Sequence, residues 1–189
     1  KAGIHNVLVT GGFISPLPLA GLSEYFDVIK VDLKGFNEDF YNKYCGGSLK
    51  PVLNALVELK KRGKLVEVVN LVIPTLNDDM DDISRMCAWI RENLGADTPI
   101  FFSKFHPDYR MQNLPPTPPE TLDKAAAVAK KAGLKFVYGG NYPGSPLEST
   151  YCPKCGKVLV ARYGYAVTGY NLVNGKCRYC GESIPGIWW

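Results

Sequence analysis

The sequence has no apolar run that approaches the roughly 20 residues a helix needs to cross a bilayer. It also has no internal repeat and no low-complexity segment. Basic residues number 22 and acidic residues 18, so the net charge is only +4, and the acids are spread along the chain. We therefore expect no contact with a membrane, and the charge does not require a nucleic-acid partner.

The sequence does contain enough apolar material for a folded protein. Of its 189 residues, 46% are hydrophobic and 21% are charged, which is typical of a globular chain. This length accommodates one ordinary domain and a small appendage. The chain begins at Lys1 without a methionine and enters an apolar, strand-like segment almost at once. We therefore expect it to be a piece of a longer protein.

Short β-branched segments alternate with helical patterns through most of the chain. The predicted strands cover residues 5–10, 27–34, 66–73, 100–105 and 134–138. Helices are predicted over residues 16–26 and 50–62, from Met80 onward, and after residue 117. The helix from Met80 is the clearest because its apolar residues form a single stripe. Thr117 is predicted to cap the last helix, with Pro118 in its first position and Glu120 completing a capping box.

This alternation predicts right-handed βα units around a parallel sheet. About four such units and a fifth strand are too few for an eight-fold barrel, so the sheet is either open or part of a barrel. Between residues 144 and 150 the composition changes to glycine, proline and serine. We place a domain boundary there, which divides the chain into residues 1–145 and 146–189.

Four of the six cysteines form two close pairs: Cys152 with Cys155, and Cys177 with Cys180. Two residues between paired cysteines let both thiolates reach one ion, and the glycine after each pair suits the positive-φ turn of such knuckles. Four thiolates complete the tetrahedral shell of Zn²⁺, so we expect a closed structural site in a small zinc ribbon. Iron in a rubredoxin-like site is the lesser metal option, and disulfides or free thiols are the alternative without metal. The spacing favours a reducing compartment, and we expect a cytoplasmic protein.

The 21 residues between the two pairs predict a hairpin with a turn at Asn174 and Gly175. The ribbon also carries basic and aromatic side chains that could form a nucleic-acid surface. These residues are Lys154, Lys157, Arg162, Lys176, Arg178, Tyr163, Tyr165 and Tyr170. We prefer the simpler interpretation that they form a solvated face.

Polar side chains follow three of the predicted strands, at the ends where ligands bind in parallel α/β folds. Thr10 ends the first strand, Asp32 and Lys34 end the second, and His106 follows the fourth. Asp32 and Lys34 are two residues apart, so they point to the same side. Each residue alone has an ordinary explanation, such as a partly exposed ion pair or a turn. Together they favour a binding site at one edge of the sheet.

Three other residues are less informative. Asn70 is polar inside an apolar strand, and the pattern does not fix the direction of its side chain. Cys87 lies on the apolar stripe of the helix from Met80, so we interpret it as a core residue. The isolated Cys45 is not expected to be a metal ligand either.

Four motifs in a fixed order carry a resemblance to a known family. VTGGFIS, VDLKGF, LVIPTLNDD and FSKFHPDY are similar to the later strands of radical S-adenosylmethionine (SAM) enzymes of the pyruvate formate-lyase-activating type. The tail segments YGGNYPG, ESTYCPKCG and CRYCGESIPGIW narrow the resemblance to the radical SAM proteins of the AmmeMemoRadiSam system. The resemblance covers essentially the whole chain. It implies an α/β fold made of the later βα units of a partial (β/α)6 barrel, followed by the zinc ribbon.

The resemblance also implies a chemistry. In the family, a Cys-x3-Cys-x2-Cys motif holds a [4Fe–4S] cluster, and reductive cleavage of SAM there gives a 5′-deoxyadenosyl radical. The radical takes hydrogen from a substrate, which in activating enzymes is a glycine of a partner protein. Asp32 and Lys34 match the motif near the methionyl end of SAM, Thr10 matches a Thr-Asn-Gly turn, and His106 matches the histidine over SAM. Gly11 departs from the family's asparagine.

The chain has no Cys-x3-Cys-x2-Cys motif, and the glycine-rich motif for the SAM amino group is also missing. We therefore expect this polypeptide alone to be inactive. Two other functions remain open at this point. One is a Schiff-base lyase with Lys34 as nucleophile, although Asp32 beside it should keep the amine protonated. The other is a ribbon-bearing module that recruits a protein or RNA.

Overall fold

The computed structural model describes residues 3–188. Its main feature is a sheet of five parallel strands in consecutive order. The strands are β1 (Val7–Thr10), β2 (Val28–Asp32), β3 (Leu65–Val72), β4 (Ile100–Lys104) and β5 (Val137–Gly140). The predicted alternation of strands and helices and the parallel sheet are confirmed.

Helices connect these strands and cover one face of the sheet. They are α1 (Pro16–Ser23), the short α2 (Glu38–Phe40) running into a π-helical turn (Tyr41–Cys45), α3 (Leu49–Lys61), α4 (Met80–Leu94) and α5 (Pro119–Lys131). Alternate strand residues such as Val31, Val68 and Phe102 are fully buried under them in one core. Their neighbours Lys30 and Phe101 lie on the opposite, helix-free face and are only half-buried. Consecutive strand order with helices on one face distinguishes this sheet from a doubly wound sheet, and its place in a partial barrel stays a prediction.

Thr117 does not cap the last helix, so that prediction is wrong. The N-cap is Pro118, whose ring has no polar group that could make a capping hydrogen bond, and the helix begins at Pro119. The Thr117 hydroxyl instead accepts a hydrogen bond from Phe105 N (2.7 Å) and donates one to Val72 O (2.6 Å). Since this residue is fully buried, its hydroxyl ties together the carboxyl ends of β3 and β4.

The last strand of the sheet begins later than predicted and includes two glycines. The backbone N–H of Leu134 still bonds to Ala129 in the preceding helix, so the strand starts only at Val137. Gly139 and Gly140 then pair with Phe102 and Ser103. A Cβ atom at Gly140 would lie 2.3 Å from Ser103 Oγ, which explains why glycine stands there.

The C-terminal region is built from short antiparallel strands. β6 (Thr150–Tyr151), β7 (Val158–Tyr163) and β8 (Ala166–Tyr170) form one sheet, and β9 (Leu172–Val173) pairs with β10 (Lys176–Cys177). The predicted turn between β9 and β10 is confirmed, because Asn174 (φ 49°) and Gly175 (φ 71°) both have the positive φ of a type I′ hairpin.

A small core lies under these strands and includes Leu159, Leu172 and Phe136, the last from the segment that leads into β5. The region therefore packs against the edge of the main sheet. The domain boundary near residue 145 stays a prediction. No helix within residues 3–188 is both long and apolar enough to span a membrane.

Candidate functional site

Asp32 and Lys34 form an ion pair at the carboxyl end of β2. Asp32 pairs in register with Val69 on the helix-free face, whereas Val31 and Leu33 are fully buried under the helices. Lys34 Nζ lies 2.9 Å from Asp32 Oδ2, and both side chains keep part of their surface exposed, 38% for Lys34 and 26% for Asp32. The site thus offers one carboxylate and one ammonium to a ligand at the edge of the sheet.

Three buried side chains fix the backbone that carries this pair. Asn77 Nδ2 donates to Lys34 O (2.6 Å) and to Leu71 O (2.8 Å), while its Oδ1 accepts from Ile73 N (2.6 Å). Asn70 Nδ2 donates to the carbonyl of Leu33 (2.8 Å). The Lys34 N–H donates to the hydroxyl of Tyr41 (3.1 Å), whose pKa burial raises well above its ordinary value. The loop between β2 and α2 is therefore held from three sides.

We call Asn70, Asn77 and Tyr41 the clamp, and the sequence did not predict it. The sequence marks Asn70 only as a polar residue in an apolar strand, whereas the structure places its side chain on the helix-covered face with 1% exposure. Asn77 follows the strand by five residues, and no periodicity marks it. A polar residue at a core position of a strand was the one available signal.

Thr10 and His106 lie at the same edge of the sheet but are not joined to the ion pair. Thr10 pairs in register with Val31, so its side chain lies on the helix-covered face, and its hydroxyl accepts from Gly12 N (3.2 Å). His106 is exposed and lies two residues beyond β4. Within residues 3–188, no hydrogen bond or ion pair links either residue to Asp32 or Lys34. Their contribution to a common site stays a prediction.

The four paired cysteines do come together. Their sulfur atoms all lie within 4.8 Å of one another, with Cys152 and Cys180 at 3.6 Å and Cys155 and Cys177 at 3.7 Å. In a tetrahedral site with metal–sulfur bonds of about 2.3 Å, neighbouring sulfurs are about 3.8 Å apart. The four thiols therefore could hold one metal ion.

The two knuckles have the backbone expected for metal sites. Gly156 (φ 71°) and Gly181 (φ 73°) both adopt the predicted positive φ. Burial opposes ionisation of Cys177, but hydrogen bonds from the Tyr179 and Cys180 N–H groups and from the Cys180 and Cys152 thiols together lower the pKa of this thiol to about 7. Against a hydrogen bond from the Glu182 N–H, burial and the neighbouring thiols raise the pKa of Cys180. The two opposite shifts belong to one group of four interacting thiols.

The remaining two cysteines lie apart from this cluster. Cys87 is completely buried in the main core, as predicted, and burial raises the pKa of its thiol to about 12. Cys45 is exposed at the end of the π-helical turn. Among the described residues, only the four ribbon cysteines form a group suited to a metal ion.

A cleft of about 900 Å³ opens on the helix-free face of the sheet. Its floor includes Lys30, Glu67, Phe101 and Tyr138. Its opposite wall comes from the C-terminal region, at residues 162, 164, 165 and 184–188. We call it the ribbon cleft. No sequence pattern predicts this cleft, because it is formed by two regions whose mutual packing no local pattern reveals.

Comparisons with curated proteins show two kinds of relative. The chain is 45% identical over 184 residues to an uncharacterized protein of Methanocaldococcus jannaschii, an alignment that covers 96% of this chain and 54% of that protein. It is 24% identical over 152 residues to the pyruvate formate-lyase 1-activating enzyme of Escherichia coli K12, covering 73% of this chain and 61% of the enzyme. The chain thus spans just over half the length of these relatives. No family model matches it.

Solved structures show the same fold. A domain of pyruvate-formate lyase-activating enzyme from Bacteroides vulgatus superposes with a TM-score of 0.65 at 14% identity, covering 74% of this chain and 83% of that domain. A radical SAM methyltransferase from Sphaerobacter thermophilus gives a TM-score of 0.57 at 15% identity, covering 80% of this chain and 43% of the methyltransferase. The chain therefore has the α/β fold of these proteins and is distantly similar in sequence to an activating enzyme.

Proposed function

We propose that this chain is part of a radical SAM enzyme related to the pyruvate formate-lyase-activating enzymes. The observation that carries the proposal is the Asp32–Lys34 ion pair at the carboxyl end of a parallel βα sheet. It stands in a chain that is 24% identical to an activating enzyme. Specific kinship with the AmmeMemoRadiSam proteins is part of the same proposal and rests on the motifs of the sequence.

The ion pair suits the methionyl end of SAM. That end carries an amino group and a carboxylate, so Asp32 could accept from the amino N–H groups while Lys34 donates to the carboxylate. Asn77 and Tyr41 hold the backbone of Lys34, so both charges are presented in a fixed arrangement. Thr10 and His106 are proposed as further SAM contacts at the same edge. When bound at a reduced cluster, SAM supplies the organic radical that takes hydrogen from the substrate.

The residues of this chain do not fit a [4Fe–4S] cluster at that edge. Cys45 and Cys87 are isolated from each other, and the second is sealed in the core. In the proposal, the cluster is held outside these 189 residues. The polypeptide alone is then inactive, and a glycine of a partner protein is the proposed target of the complete enzyme.

The four-cysteine group is proposed to hold structural zinc. The sulfur positions match a closed tetrahedral shell, which leaves no open position for chemistry. The ribbon has only a small apolar core, so the metal supplies a large part of its folding free energy.

The test is the coding sequence upstream of Lys1 and the protein made from it. We expect a Cys-x3-Cys-x2-Cys motif there, and about four irons and four sulfides per chain after anaerobic reconstitution. The 189-residue chain treated in the same way serves as the control and is expected to bind no sulfide. An upstream region without that motif would refute the proposal.

A further inference from the structure

One edge of the five-stranded sheet is covered and the other is open. At the β5 edge, the C-terminal region packs against the sheet through a core that includes Phe136. At the other edge, β1 pairs with β2 and, among the described residues, with no other strand. Asn6 O accepts from Val28 N, so the backbone groups of Val7 and Val9, which alternate with those of Asn6, point away from β2. The outward N–H and C=O groups of these two residues therefore have no strand partner.

This open edge has none of the features that protect exposed strands in natural proteins. β1 has the sequence Val-Leu-Val-Thr, with no charge and no proline, and its pairing with β2 has no bulge. Val9 lies beside Lys30 on the helix-free face, and Val7 and Val9 are both more than half exposed. A strand of this kind is suited to pairing with a further strand.

The helix beside the open edge is apolar on its outer side as well. α1 has the sequence PLPLAGLS and contains no charged residue. Its residue Leu19 is buried in the main core at 1% exposure, whereas Leu17 is 84% exposed and Leu22 is also exposed. Because a helix that is apolar on all sides is normally buried on all sides, α1 is suited to a neighbour on its outer side.

Exposed apolar side chains are concentrated at this edge. Residues 45–108 expose no large hydrophobic side chain, whereas residues 4–25 expose seven. We call these seven the edge surface, and they are Ile4, Val7, Val9, Phe13, Leu17, Leu22 and Tyr25. A concentration of this kind on a folded protein marks an interaction site rather than the ordinary scatter of apolar residues.

The order of the strands points to one occupant. Each strand of the sheet lies next to the strand that precedes it in the sequence. The neighbour expected on the outer side of β1 is therefore a strand that precedes β1, because consecutive elements tend to be adjacent in space. The chain spans just over half the length of its relatives, which leaves enough length for further βα units.

We propose that the edge surface binds the segment of the complete protein that precedes Lys1. The segment adds a strand parallel to β1, which pairs with the outward backbone groups of Val7 and Val9. A right-handed crossover places its helix on the same side as α1, where it covers Leu17 and Leu22. The existence of this segment rests on the proposed function, whereas the surface that receives it is taken from the open edge of the sheet.

Amide hydrogen exchange with mass spectrometry tests the strand pairing. The complete protein is compared with the 189-residue chain, both loaded with zinc. The outward amides of β1 should exchange at least tenfold more slowly in the complete protein, because pairing protects amides that are open to water in the shorter chain. β8 is the control, since it is the edge strand of the C-terminal sheet and should exchange at the same rate in both proteins.

The variant Leu17→Glu tests the helix contact. It should leave the thermal midpoint of the 189-residue chain unchanged, because Leu17 is exposed there. In the complete protein it should lower the midpoint by at least about 3 °C, because the burial of a leucine is lost. Val167→Glu is the matched control, since Val167 is more than half exposed on β8, outside the edge surface, and it should change neither midpoint.

The proposal is overturned if the β1 amides exchange equally fast in both proteins, or if Leu17→Glu affects the complete protein no more than Val167→Glu does. It is also overturned if the complete protein is a dimer whose dissociation removes the protection of β1, because a second copy then occupies the edge surface. Neither measurement needs SAM or a cluster. A complete protein that holds a cluster but leaves β1 open rejects this proposal alone, whereas protected β1 amides without an upstream Cys-x3-Cys-x2-Cys motif reject the proposed function alone.

Discussion

Replacement of Asn77 by alanine tests the clamp that holds the Asp32–Lys34 loop. The side chain makes three hydrogen bonds of 2.6–2.8 Å and is only 5% exposed, so water cannot replace them in the folded protein. A typical intramolecular hydrogen bond contributes about 0.5–1.5 kcal/mol net. Loss of all three, which leaves Ile73 N–H and two carbonyls unpaired, should lower the free energy of unfolding by about 2–4 kcal/mol.

The assay is urea denaturation of the zinc-loaded chain followed by far-ultraviolet circular dichroism. Asn93→Ala is the matched control, because Asn93 is exposed and donates a single bond to Trp89 O (2.9 Å). It should cost less than about 1 kcal/mol. If Asn77→Ala is no more destabilising than the control, the clamp does not hold the loop and the reasoning is refuted.

Three further outcomes are expected. Cys152→Ser should abolish binding of one metal ion per chain, measured by elemental analysis, while Cys45→Ser should leave it intact; equal loss in both would contradict the ribbon site. Cys87 should resist alkylation at pH 8 in the folded chain, because burial raises the pKa of its thiol to about 12. The free energy of unfolding should decline above about pH 9, where the thiol ionises only in the unfolded chain. Rapid labelling of Cys87 in the folded chain would refute its burial. Thr117→Val should lower the free energy of unfolding by about 1–3 kcal/mol, against no measurable change for exposed Thr168→Val; similar values for the two would remove the proposed link between β3 and β4.

The sequence predicted those parts of the molecule that depend on local patterns. The apolar stripe of α4 placed Cys87 in the core, and the cysteine–glycine spacing predicted the positive φ of Gly156 and Gly181. Alternation along β2 predicted that Val31 faces the helices and Asp32 the other side. Each of these follows from the period of a helix, a strand or a turn.

Features that depend on long-range packing could not be predicted. Thr117 matched a capping box, but its hydroxyl satisfies two backbone groups 12 and 45 residues away. Thr10 ends its strand as expected, yet the register with Val31 places its side chain on the helix-covered face. The ribbon cleft depends on how Arg162 and Trp188 face the sheet, which no spacing in the sequence encodes.

The central claim is that Asp32 and Lys34 bind SAM for radical chemistry. It is tested most directly by measuring 5′-deoxyadenosine formed from SAM by the reconstituted protein that includes the upstream region. We expect formation in the wild type and at least a tenfold lower yield at limiting SAM in Asp32→Asn and Lys34→Met, since each loses a charge-assisted hydrogen bond. The account would be contradicted if a cluster-loaded wild type formed no 5′-deoxyadenosine. It would also be contradicted if both variants formed as much as the wild type.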